Sequence, residues 1–277
     1  AGGWEHDTLT EDLDLSYRAQ MKGWRFVYDP EIVCPAELPV EMNAFKTQQH
    51  RWAKGSIQVM RKILPRFLKS DLPFKVKLEG FLHLTGNLCY PLMFTMCVLI
   101  LPMMVLRARI ADGTLGAIID LVVFFSATAS VITFYSFTSV VAHRDWWRRL
   151  HLVPMMLALG IGLIVNQARA VLEALRGHQS PFVRTPKFNQ DASSRGNSWL
   201  QLRYRGAVNW SLAIELAFSL YFTVVVAFAV REQLWSSLPF LLLFFVGFWY
   251  VSILSLAQSR LIRRRRVEPP VAVPEAA

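Results

Sequence analysis

Two short stretches combine residue types that could do chemistry. The first is Thr8-Leu-Thr-Glu-Asp-Leu-Asp-Leu-Ser-Tyr17, which sets Glu11, Asp12 and Asp14 directly after Thr10. Thr10 is a good helix N-cap, and three carboxylates in a first turn suit the positive end of the helix dipole. Leu13, Tyr17 and Met21 share one face, and Gly23 ends the helix. On spacing alone this is a well-capped helix. The second stretch is Gln48-Gln49-His50-Arg51-Trp52, on a helix that the pattern predicts from about Met42 to Leu64. Gln48, Arg51 and Trp52 fall at i, i+3 and i+4 and share a face. A guanidinium can hold diphosphate oxygens, and an indole can stack on the C–H surface of a sugar, so this face suits an anionic sugar donor. It equally suits a basic helix at lipid headgroups, anchored by Trp52.

The elements around these stretches divide the chain in two. Its 277 residues are 53% hydrophobic and only 18% charged, with a mean hydropathy of +0.32. Soluble domains carry about 25% charged residues, so a disordered chain, a disulfide scaffold and an ordinary soluble enzyme are excluded. Residues 1–80 hold 12 Lys and Arg against 11 Asp and Glu. The remainder holds 18 against 9, and 17 of those 18 are Arg. The net charge of +10 thus flanks apolar runs, which points to a membrane surface rather than nucleic acid. Cys34, Cys89 and Cys97 show neither metal nor disulfide spacing.

Four apolar runs are long enough to span a bilayer, at about 81–106, 117–142, 207–230 and 234–260. A fifth, Leu152–Ala168, is marginal and continues into the amphipathic stretch Asn166–Leu175. The basic segments 143–151, 176–206 and 260–266 belong on one side by the positive-inside rule. Five crossings would separate the last two. The expectation is therefore four spans, with 152–176 interfacial or re-entrant. Residues 1–66 read as a head, 67–80 as an interfacial connector, and 263–277 as a basic, disordered tail. Within the head, Trp24–Tyr28 and Ile32-Val33 read as short extended strands around the Asp29-Pro30 turn.

Thr10-Glu11-Asp12 followed by Gln48-x-x-Arg51-Trp52 resembles the inverting family 2 glycosyltransferases, which include cellulose, chitin and hyaluronan synthases. Lys22-Gly-Trp-Arg-Phe-Val-Tyr28, Glu37-Leu-Pro39 and Gln48-Gln-His-Arg-Trp52 are most similar to the cellulose-synthase-like glucomannan synthases. The likeness covers residues 1–66 well. It implies the C-terminal end of an α/β, GT-A-type catalytic domain followed by interfacial helices and about four transmembrane helices. It implies transfer of a hexose, with inversion, from a UDP- or GDP-sugar to a growing β-linked glucan, mannan or glucomannan that is extruded. By the same likeness Asp12 is the general base and Glu11 supports it. Gln48, Gln49, Arg51 and Trp52 bind donor diphosphate and acceptor. Phe182-Val-Arg-Thr-Pro-Lys187 resembles a cellulose synthase gating loop at Phe182, Thr185 and Lys187. Arg184 departs from that pattern, which has Val there; read by itself, the segment is a solvated basic loop.

The family's nucleotide-binding strand and Asp-x-Asp metal motif precede Thr-Glu-Asp, so the Mg or Mn ligands are expected upstream of this sequence and none within it. The implied setting is a bacterial inner (plasma) membrane with the catalytic side cytoplasmic. Two other readings stand beside this one. One is a non-processive transferase acting on a lipid. The other is an inactive scaffold or transporter, whose best feature is Glu215, an acid alone in an apolar run.

Overall fold

The structure is a computed structural model that describes residues 1–29, 31–110, 113–142, 145–180 and 210–267. The described residues form a helical head joined to long apolar helices.

Helix α1 (Glu11–Met21) begins with the three acids and stops at Gly23, whose φ of +89° carries no Cβ penalty. Thr10 occupies the N-cap position but makes no side-chain capping bond, because it packs against the next helix instead. Helix α2 (Met42–Lys69) outruns its predicted end and passes through Pro65. The hydrogen bond lost there is offset by the burial of Phe67, which lies against Gly80. Burying a side chain of that size is worth about 1.5–3 kcal/mol.

Helix α3 (Phe74–Thr85) leads through a short 3₁₀ turn into α4 (Cys89–Ile110), so the expected connector runs straight into the first apolar helix. Helix α5 (Gly113–Ala142) precedes α6 (Leu152–Gly162) and α7 (Ile164–Leu175), which meet at Leu163. Helices α8 (Ser211–Arg231) and α9 (Leu238–Val267) complete the order. Among the described residues, three helical stretches are long and apolar enough to cross a membrane: Phe74–Arg109, Ser211–Arg231 and Trp235–Leu261. Two bent pairs, one within α5 and one at the α6–α7 junction, raise the number to five if each counts as a span. The chain is an integral membrane protein.

Two sequence expectations change. No strand occurs among the described residues. Trp24, Phe26, Val27 and Tyr28 are extended but 64–93% exposed, since no neighbouring strand offers them a ladder. The α/β character of the catalytic domain is therefore not seen in this stretch. Residues 263–267, expected in a disordered tail, continue α9 as helix. The stretch 152–176, expected to be interfacial or re-entrant, is two helices bent by 47°.

Two cores hold these elements. In the apolar region the rings of Phe218, Phe222, Phe244 and Phe248 stack at 5.1–5.3 Å between α8 and α9. A Cβ on Gly247 would fall 2.2 Å from the Ala158 carbonyl oxygen, so α6 and α9 touch through glycine, as small residues permit in membrane helix pairs. In the head, Tyr17, Ile57, Ile63, Phe67, Leu84 and Val171 form the second core. The Tyr17 hydroxyl lies 2.7 Å from His83 Nδ1, linking α1 to α3.

Polar bonds mark the two ends of the apolar region. Asp120 pairs with Arg107 and accepts hydrogen bonds from the Ser236 and Ser237 hydroxyls, which brings the α4–α5 turn to the α8–α9 turn. At the opposite ends of α8 and α9 sits the head. There Lys46 meets Glu215, Asn43 donates to Ser259, and the Met42 amide donates to Gln258. Ser180 is at this same end, bonded to Lys54.

Candidate functional site

Helix α2 carries the site on one face and its own support on the other. On the first face Gly55 lies one turn beyond Arg51. A Cβ there would fall 2.6–2.9 Å from Thr10 Cγ2, Oγ1 and backbone nitrogen. Only glycine lets Thr10, and with it the first turn of α1, sit this close to the Gln48–Arg51 row. The Leu9 amide donates to Gln58 one turn further on. The first motif, through Thr10, is thus in contact with α2 at Gly55, one turn beyond the second.

The acids of α1 have unlike environments. Asp12 is exposed, and its Oδ1 accepts the Leu13 amide at 2.8 Å. Asp14 is fully buried, 2.8 Å from Arg18 Nε and 3.1 Å from Lys62 Nζ. Glu11 is half-buried and lines a cavity of about 290 Å³ with His6, Thr8, Gln58, Gln179 and Ser180. On α2, Gln48, Gln49 and Arg51 are half-buried and Trp52 is 47% exposed. Gln48 Oε1 is buried without a hydrogen-bond partner. Phe182, Arg184, Thr185 and Lys187 lie outside the described residues.

One cluster of carboxylates among the described residues bears on metal binding. The carboxylates of Glu5, Asp7 and Asp14 come within 4.8 Å of one another, but Lys62 Nζ is bonded to all three. The ammonium already supplies the cation. Hydrogen bonding to Lys62 holds Asp7 below the usual carboxylate range. Burial alone would lower the Lys62 pKa, yet the bonds from Asp7, Glu5 and Asp14 raise it above its ordinary value. These donors do not fit a divalent ion, and Asp12-x-Asp14 is no metal pair because Asp14 is consumed by Arg18 and Lys62.

The opposite face of α2 presents Lys46, His50 and Lys54 at i, i+4 and i+8. Lys46 pairs with Glu215 of α8 at 2.7 Å, both buried. His50 and Lys54 both reach Glu173 of α7, at 3.1 and 3.0 Å, and Arg169 takes its other oxygen at 2.7 Å. The Asn166 side chain donates to the Lys46 carbonyl, and Arg61 to that of Ala174. Burial pushes the His50 imidazole below its ordinary value, outweighing the opposite pull of Glu173. Glu215, read from sequence as a lone acid, is neutralised from the head and loses its standing as a transport group.

Sequence reasoning missed Gly55, Lys62 and Glu173. A glycine inside a helix costs about 1 kcal/mol against alanine, so Gly55 in mid-helix was the one available signal. Lys62 gave none, because its partners lie far along the chain, and Glu173 gave only its i−4 pairing with Arg169.

A family model for "Glycosyl transferase family group 2" matches residues 1–165. The chain belongs to that family. It is 40% identical over 87 residues to glucomannan 4-beta-mannosyltransferase 1 of Oryza sativa subsp. japonica, a stretch covering 31% of this chain and 16% of that protein. It is 48% identical over 64 residues to the probable glucomannan 4-beta-mannosyltransferase 9 of the same plant, covering 23% and 12%. To glucomannan 4-beta-mannosyltransferase 2 of Arabidopsis thaliana it is 26% identical over 204 residues, covering 72% and 36%. The chain thus spans only a minor part of the length of these relatives. No solved structure matches it.

Proposed function

We propose that this chain is the acceptor-side and membrane part of an inverting hexosyltransferase that extends a β-linked mannan-type polysaccharide from a nucleotide sugar. The observation that carries this reading is the Gly55–Thr10 contact, which seats the start of the Thr-Glu-Asp turn on α2 one turn beyond Arg51. Asp12 takes the proton from an acceptor hydroxyl as that oxygen attacks the anomeric carbon. The bond from that carbon to the nucleotide diphosphate breaks on the far side, so an α-linked donor yields a β-linkage. An exposed carboxylate meets the requirement of a base that is ionised and within hydrogen-bond reach of the incoming hydroxyl. Arg51 stabilises charge on the departing diphosphate. Gln48 and Gln49 hold donor and acceptor polar groups, and Trp52 forms the floor under the terminal sugar. Glu11 keeps the turn polar beside the cavity.

The relatives' names favour mannose among the hexoses. GDP-mannose is then the donor to test first, with UDP-glucose as comparison. A divalent metal, Mg or Mn, would be held by donors outside this chain, and no step here is routed through it. The gating role goes to Phe182, Arg184, Thr185 and Lys187; its support is that Ser180, two residues earlier, lies beside the site.

The topology proposed is four crossings with the head cytoplasmic, in a bacterial inner (plasma) membrane. Its support is that Ser180 and the last turns of α9 lie at the head's end of the spans, where the basic segments belong.

Asp12→Asn in the full-length enzyme tests the mechanism. Polymer formation from the nucleotide sugar should be lost while donor binding persists. Near-normal turnover would remove Asp12 from the chemistry.

A further inference from the structure

A cavity of about 590 Å³ opens between α4, α7 and α8. No residue of α1 or α2 lines it, so it is separate from the site above. One wall is apolar, made by Phe94, Val165, Leu172 and Ile214. Phe94 and Ile214 belong to the two apolar helices α4 and α8 and are half-buried against the core between them. The rim is cationic, with Arg169 and Arg176 seven residues apart on one face of α7 and His178 beyond them.

Trp210, one residue before α8, completes the lining. It is 60% exposed, and the Arg169 guanidinium carbon sits 5.1 Å from its ring centre. An indole at the start of a span, packed by an arginine, is the arrangement that bilayer interfaces favour. Glu173 is the one acid among the described residues of the lining. Its charge is already matched from behind by Lys54 and from the side by Arg169, which leaves the rim with a surplus of positive charge.

We propose that this cavity binds an anionic glycerophospholipid. The phosphate lies between Arg169 and Arg176, and one acyl chain runs along Phe94, Leu172 and Ile214 toward the bilayer. A nucleotide diphosphate would offer the same phosphate chemistry, but it would have to leave its polar base and sugar against an apolar wall. A zwitterionic lipid would match the wall and waste the surplus charge.

The full chain, purified in detergent, is titrated with phosphatidylglycerol or phosphatidylcholine, with retained lipid read by native mass spectrometry. Phosphatidylglycerol should be retained well above phosphatidylcholine. Arg176→Ala, an exposed position, should weaken phosphatidylglycerol about fivefold, the worth of one arginine at an anionic surface. Ile214→Trp, which fills the acyl wall, should abolish retention. Equal retention of both lipids would overturn the proposal, as would variants that hold phosphatidylglycerol like the parent. Displacement by millimolar pyrophosphate would also overturn it, by assigning the site to a soluble diphosphate. None of these readouts depends on sugar transfer, so the lipid site stands or falls apart from the mechanism.

Discussion

The two faces of α2 are built from similar residues and used differently. On the α7 side, Lys46, His50 and Lys54 each meet an acid or a carbonyl from another helix. On the α1 side, Gln48 keeps a buried acceptor without a partner and Trp52 stands half in solvent. Satisfied polar networks rigidify, and an unsatisfied buried acceptor is open to a ligand. One helix therefore serves as both anchor and binding surface. The acids of α1 repeat the division: Asp14 is locked and Asp12 is open.

Substitutions that exchange the roles of these pairs would break or sharpen this contrast. The largest effect on turnover is expected at Asp12. Removing a general base costs typically 10²- to 10⁴-fold, so Asp12→Asn should fall in that range with an unchanged melting temperature. Asp14→Asn should do the reverse in kind, lowering the melting temperature by removing the buried charge that Arg18 and Lys62 share. Equal destabilisation by both would erase the distinction between the two acids.

Gly55→Ala should follow. The added methyl meets the Thr10 backbone nitrogen at 2.9 Å, which cannot rotate away as a side-chain tip would. A 1 Å displacement of a catalytic group can cost about 10²-fold. Transfer should drop to that extent while the protein still inserts and binds donor. Normal transfer in this variant would mean that the close approach does not place Asp12.

On the anchoring face, Lys46→Ala leaves Glu215 buried without its cation. Breaking such a pair costs about 3–5 kcal/mol. Unfolding of the detergent-solubilised protein should shift accordingly, and Lys46→Met with Glu215→Gln should recover most of the loss. A single variant as stable as the parent would show that the pair does not tie the head to α8.

Trp52→Ala should leave stability within about 0.5 kcal/mol, as for an exposed side chain outside any network. Elongation of an added oligosaccharide primer should nonetheless suffer more than binding of free nucleotide donor. Equal loss of both would return Trp52 to a headgroup anchor.

The smallest effect expected is a pH dependence. Burial depresses the His50 pKa below 6.5, so the unfolded chain takes up a proton that the folded head resists. The His50 contribution is full above pH 6.5 and is lost as pH falls through the folded value. The α2–α7 contact should loosen on that side, and His50→Gln should flatten the acid limb of the stability profile.

The acidic turn, the shared face of Gln48, Arg51 and Trp52, and the apolar runs were legible in the sequence. Each is set by spacing within a single helix, where 3.6 residues per turn decides which side chains are neighbours. Gly23 ended its helix as expected for the same local reason. Tertiary structure decided the rest. Nothing along the chain says that Thr10 forgoes its capping bond to lie on Gly55, that Lys62 stands among three carboxylates, or that Glu215 belongs to Lys46, 169 residues away. The strands expected at Trp24–Tyr28 and Ile32-Val33 failed for a related reason, since a strand exists only where another backbone pairs with it. Periodicity fixes what a helix offers; which offers are taken depends on partners that only the folded chain brings within reach.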